Sequence, residues 1–152
     1  AGAGVAFSSD VFHVCEGRIT AGATATEANA QKTCRAALNA SNIFVNVITH
    51  GVTNGVDFFL RVNLANSVLT VNVASGTTGL FEDTSNTVAI GAGDEYNFFI
   101  DHGGGAGSIT PTLIGMGDGP TDVISGGGRG YPGQMHNRRP RSRVVGRGLR
   151  VP

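Results

Sequence analysis

Residues 56–73 alternate apolar and polar side chains almost without interruption. Phe58, Leu60, Val62 and Leu64 fall on one face, with Phe59, Arg61 and Asn63 on the other. After Ala65-Asn66-Ser67 the alternation resumes, with Leu69, Val71 and Val73 opposite Thr70 and Asn72. A period of two is that of a half-buried strand, so these stretches predict strands over 56–64 and 68–73, joined as a hairpin through 65–67. Shorter runs predict strands at 11–15 (VFHVC), 43–50 (IFVNVITH), 96–100 (YNFFI) and 109–114 (ITPTLI). Pro111 marks the last as an edge or bulged strand, because proline cannot donate to a ladder. Asn54-Gly55 is a turn signal before residue 56. Leu80-Phe81 is a short apolar step into the polar cluster 82–87, and 88–90 is a brief apolar return. The Ala- and Thr-rich stretch 17–33 reads as loop and edge strand, and no segment carries the pattern of a long amphipathic helix.

About eight short strands recurring every ~10 residues predict an all-β, antiparallel, jelly-roll-like β-sandwich rather than a parallel α/β sheet. The pattern ends near residue 114. Residues 115–128, GMGDGPTDVISGGG, read as a Gly-rich linker, so the expected organisation is a body over 1–114, a linker over 115–128 and an extended arm over 129–152.

Composition sharpens this picture. The 152 residues include 24 glycines and suit one domain with an extension. No stretch approaches the ~20 apolar residues of a membrane helix. The opening AGAGVAFSSD lacks the basic and apolar regions of a secretory signal. Cys15 and Cys34 are too few for a disulfide framework and lack metal-ligand spacing, which favours two small buried hydrophobes and leaves one bridge open.

The net charge of zero conceals a division. Residues 1–128 carry four bases against eleven acids, and residues 129–152 carry seven arginines and no acid. The arm places Arg129, Tyr131, Arg138, Arg139, Arg141, Arg143, Arg147 and Arg150 among glycines and prolines, with Val144, Val145 and Leu149 between them. Clustered arginine and Gly-Arg-Gly steps suit nucleic acid. Phosphate binding has no use for the apolar residues, whereas a strap that fills pockets or adds a strand on a protein partner does. Protein docking is therefore the expectation, and nucleic acid is disfavoured.

Other candidate chemistry is weaker. Glu82-Asp83 and Asp94-Glu95 could serve hydrolysis or Ca²⁺, but Asp83-Thr84-Ser85-Asn86 is better read as turn chemistry, its side chains bonding nearby backbone groups. His13, His50, His102 and His136 have no zinc partner at ligand spacing. His102 beside Asp101 lacks a nucleophile in sequence, and the glycine runs at 103–107 and 126–130 lack the lysine and helix of a phosphate cradle. The expectation is no catalytic residue, no metal and no cofactor. Adjacent aromatics are more informative. One residue of each Phe-Phe pair must leave the core, which makes Phe59 and Phe98 or Phe99 candidates for a subunit contact.

Two segments, TEANAQKTCRAALNASNIFVNV (26–47) and TTGLFEDTSNTVAIGAGDEYNFFIDHGGGAGSIT (77–110), resemble in order and spacing a group of bacteriophage-encoded β-sandwich domains. The likeness spans about residues 26–114 and not the arm; FEDTSN and GDEYN carry most of it. It implies a non-enzymatic virion-surface module, often trimeric. The expectation is a capsid decoration or cement protein on the outer capsid surface, its arm docked on the major capsid protein or a neighbouring subunit. A tail-fibre or baseplate head that binds a host glycan is the alternative.

Overall fold

The computed structural model describes residues 4–15 and 23–118. Its strands are β1 (Val11–His13), β2 (Lys32–Thr33), β3 (Leu38–His50), β4 (Val56–Val62), β5 (Ala65–Val73), β6 (Gly79–Ile90), β7 (Glu95–Asp101) and β8 (Ile109–Asp118), with a single 3-10 turn at Glu27–Asn29. One sheet has the order β1-β7-β4-β5, and β2 shares with β1 the outer edge of β7. The other has the order β6-β3-β8. Every strand pair is antiparallel. Phe7 forms a two-way bridge to Ile109, which sets the N-terminal segment against the free edge of β8.

Read across the sheets, the orders are N-terminal segment-β8-β3-β6 and β2-β7-β4-β5. That is the jelly-roll arrangement. Only β4 and β5 are joined as neighbours within a sheet, while the other links from β2 to β8 cross between sheets. No helix among the described residues is long and apolar enough to cross a membrane.

The core is the space between the inner faces. Ile43, Val45 and Val47 of β3 meet Phe58 and Leu60 of β4, Leu69 of β5, Phe98 and Ile100 of β7 and Ile114 of β8, all essentially inaccessible to water. Each such side chain contributes about 1.5–3 kcal/mol by leaving water. Phe98 is among them at 1% exposure, so it is a core residue and not a subunit contact. The register explains this: Phe98 lies opposite the inward-facing His13 and Leu60, whereas Phe99 lies opposite Phe12 and Phe59.

Four expected boundaries move. β3 begins at Leu38, before the apolar run, because Ala40 is small enough to bury fully at its start. The β4–β5 turn is Asn63-Leu64, not 65–67: both residues have positive φ (50° and 69°) and Val62 pairs with Ala65, the geometry of a two-residue type I′ hairpin. β6 runs through the polar cluster 82–87 without apolar alternation, because Thr84, Ser85, Asn86 and Thr87 are all exposed there, whichever face they take. Residues 115–118 belong to β8 rather than to a linker. Gly115 is there for close packing, because a Cβ would sit 2.5 Å from the Phe44 ring.

Candidate interaction surface

The outer face of the β1-β7-β4-β5 sheet carries the most organised group of side chains. Phe12, Phe99 and Phe59 lie side by side on β1, β7 and β4, in register at Phe12↔Phe99 and Phe59↔Phe99. The Phe12 and Phe99 rings stack with centroids 4.9 Å apart at 26°, and Phe59 and Phe99 with centroids 6.3 Å apart at 19°. Outward placement follows from strand parity: each ring is next in sequence to a core residue. All three are only half-buried.

Arg61, two residues beyond Phe59 on β4, clamps one end of the row. Its guanidinium carbon lies 5.7 Å from the Phe12 centroid and 5.4 Å from that of Phe99. Its Nε donates to Glu27 Oε1 at 2.6 Å, Nη1 donates to Asn66 Oδ1 at 2.6 Å, and Nη2 donates to the Leu64 carbonyl. One side chain thus ties the 3-10 turn, β5 and the β4–β5 hairpin to the aromatic row. The other end is acidic: Asp57 and Asp101 face each other across β4 and β7, and Asn72 donates to Asp57 at 2.7 Å.

This arrangement suits a protein contact better than a sugar platform. The rings stack on one another, so their faces are used within the row and their edges point outward. Flat stacking of a pyranose needs free faces. Phe59 was legible as an outward residue from its Phe-Phe pair, and Phe99 only as one of the two alternatives, Phe98 or Phe99. Phe12 was not singled out, although the alternation of VFHVC carried the same signal. Glu27 lies in a stretch with no period to reveal it.

Asp83 makes the turn-like bonds its neighbours predicted, but inside a strand. Its Oδ1 accepts from the amides of Ser85 and Asn86, while Oδ2 accepts from Asn86 Nδ2 at 2.9 Å and from the Thr70 amide at 3.4 Å. The β3–β6 register jumps there, from Ser41↔Thr87 to Ile43↔Asp83, with Asn42 at φ 47° opposite the bulge. Partial burial would raise the Asp83 pKa, but the donors from Asn86, Ser85 and Thr70 outweigh it and hold the carboxyl below its ordinary value. Asp94 is also held low, by Asn63 Nδ2 and the Gly91 amide.

His102 lines a cleft with Ser8, Ser9 and Asp10, a closeness that sequence distance concealed. Asp10 Oδ1 accepts from the His102 backbone amide at 2.8 Å, and the imidazole Nε2 has no hydrogen-bond partner among the described residues. Asp101 accepts instead from the Gly103 amide, so it does not orient His102. Cys15 and Cys34 are free thiols. Burial pushes the Cys15 thiol far above its ordinary range, and Cys34 donates to the Ala36 carbonyl at 2.9 Å. Among the described residues no group of three His, Cys, Asp or Glu is placed to hold a metal. The arm residues Arg129, Tyr131, Arg138, Arg139, Arg141, Arg143, Val144, Val145, Arg147, Leu149 and Arg150 lie outside the described residues.

The fold and this face define an antiparallel jelly-roll sandwich with an aromatic, charge-flanked outer face. The chain matches no protein-family model and no curated protein.

Proposed function

We propose that this chain is a non-enzymatic virion structural protein, a decoration or cement protein on the outer surface of a phage capsid. Copies associate, with a trimer favoured, through the outer face carrying Phe12, Phe59 and Phe99, and the basic arm docks on the major capsid protein or a neighbouring subunit. The observation that carries the reading is that stacked row with its Arg61 clamp: a preorganised, half-buried aromatic face whose ring edges point outward. Aromatic and arginine side chains held in place are what protein interfaces concentrate. The charge division supports it, because an arm rich in arginine forks seeks carboxylates. Association then couples several arms to one lattice, so modest single contacts add to firm attachment.

Copy number tests the reading. Gel densitometry of purified particles should show this chain within a small factor of the major capsid protein. A few copies per particle points to the fibre or baseplate alternative, and absence from particles overturns both. Phe59→Ser with Phe99→Ser should leave the fold intact and shift the purified protein from oligomer to monomer in sedimentation; an unchanged oligomer removes this face from the interface.

A further inference from the structure

A second feature lies on the side of the sandwich away from β8. β5 ends one sheet and β6 ends the other, so among the described residues no strand is hydrogen-bonded to their outer edges. Between them runs an open cleft of about 410 Å³. Val71 and Phe81 supply its apolar surface, and the charged residues lining it, Glu82 and Asp83, are both acidic. Leu80 on β6 and Val68 on β5 are each 59% exposed, so large apolar side chains stand in water on both edge strands. The Thr70 hydroxyl, of a residue that also lines the cleft, is buried with no hydrogen-bond partner among the described residues. The Thr70 amide donates to Asp83 Oδ2 at 3.4 Å, longer than a good N–H···O bond.

Open edges of this kind recruit strands, and natural proteins usually guard them. An incoming strand for this cleft needs a backbone able to bond along its length, apolar side chains for Val71 and Phe81, and positive charge for Glu82 and Asp83. One segment of this chain meets all three conditions. Residues 141–151, RSRVVGRGLRV, contain no proline and no acid, four arginines, and Val144, Val145, Leu149 and Val151. Proline stands on either side, at Pro140 and Pro152. Reach is ample. β8 and β6 are separated by β3 alone, about 10 Å across. The residues from 119 to 140 span up to roughly 70 Å when extended.

We propose that the β5–β6 cleft is the receptor for residues 141–151, which add as a strand along its edge. This rests on the reading of the arm as a docking strap and names its protein receptor. The same contact forms whether the arm comes from the same copy or from a neighbour. An incoming amide-bearing strand displaces the weak Asp83–Thr70 bond, and arginine forks take over the carboxylates.

Disulfide trapping in the full chain tests it. Ser85→Cys lines the cleft and is exposed, and Val145→Cys lies in the segment. In a glutathione redox buffer this pair should bridge at least about tenfold faster than the control pair Thr49→Cys with Val145→Cys, because docking raises effective concentration. Glu82→Lys added to the cleft pair should slow bridging several-fold. A monomer-mass or dimer-mass product supports the proposal; the mass tells which copy donates the arm. Bridging at the control rate, or a rate indifferent to Glu82→Lys, overturns it. Control-rate bridging in a protein abundant on particles sinks this inference alone. Fast bridging in a protein missing from particles sinks the virion reading alone.

Discussion

Arg61→Ala is the sharpest single test of how the outer face is held. The side chain makes three donor contacts and lies over two rings. The ion pair is not an ordinary surface pair, since Arg61 and Glu27 are only 16% and 14% exposed. Half-buried and hydrogen-bonded at 2.6 Å, it contributes about 1–2 kcal/mol rather than the ~0–1 of exposed pairs. Each cation–π contact adds about 0.5–1 kcal/mol. The bonds to Asn66 and Leu64 add less, because water replaces much of them. These terms share one side chain and do not sum, so the expected loss is about 2–3 kcal/mol. With a urea m-value of about 1–2 kcal/mol/M, the midpoint falls by roughly 1–3 M at constant m. Arg61→Lys keeps the charge but loses the fork, and should lose about 1–1.5 kcal/mol. A double-mutant cycle with Glu27→Ala isolates the pair. An Arg61→Ala loss under about 0.5 kcal/mol, or Arg61→Lys equal to wild type, refutes the clamp.

Three further outcomes are expected. Gly107→Ala should cost at least about 3 kcal/mol in urea unfolding, because its Cβ would lie 2.0 Å from the Gly51 carbonyl oxygen at φ 107°; a loss below 1 kcal/mol contradicts that packing. Leu64→Gly should raise Tm slightly, a gain of up to about 1 kcal/mol: Leu64 sits at φ 69° and 59% exposed, so it strains the turn and packs little; a clear drop in Tm counts against a type I′ turn. Acid sensitivity should come in part from Asp83 and Asp94, both held below their ordinary 3.8. A depressed carboxyl stabilises the fold fully above its unfolded value and loses that contribution as pH falls through the folded value, here below about pH 4. The urea midpoint of Asp83→Asn with Asp94→Asn should fall less between pH 6 and pH 3 than that of wild type; an equal fall assigns the acid transition elsewhere.

The sandwich was legible wherever a strand has one face in the core and one in water. Residues 56–64 and 68–73 alternate because β4 and β5 have that position, and their core faces, Phe58, Leu60, Leu69, Val71 and Val73, came out correctly. The pattern failed at β6, whose middle is polar and exposed on both faces, and at β8, where Gly115 is a packing residue that composition makes look like linker. The hairpin turn was misplaced by two residues because Asn63-Leu64 lacks the usual glycine at a position that requires positive φ. The aromatic face was half legible. Phe-Phe pairs announce that one ring leaves the core, but the choice of Phe99 over Phe98 depends on which residues of β1 and β4 lie opposite, and no local pattern carries that register. Glu27 and Ser8 reach Arg61 and the His102 cleft only through tertiary folding.

The jelly-roll order also explains why one chain can offer two unlike surfaces. Because the links from β2 to β8 mostly cross between sheets, β5 and β6 end up as the last strands of different sheets on one side of the molecule. That side exposes backbone edges, Glu82 and Asp83, and is matched chemically by a basic, proline-bounded segment. The outer face of the β1-β7-β4-β5 sheet offers instead a stacked aromatic row, Phe12, Phe99 and Phe59, on strands paired with one another. Edge recognition runs through main-chain bonds and charge; face recognition runs through ring edges and apolar burial. The two should therefore respond differently to salt. Rising ionic strength screens the arginine–carboxylate contacts at the cleft and leaves the aromatic face largely unaffected. A chain that keeps its oligomeric state in high salt while Ser85–Val145 bridging slows has two separate interfaces. If both fall together, arm and face form a single cooperative contact.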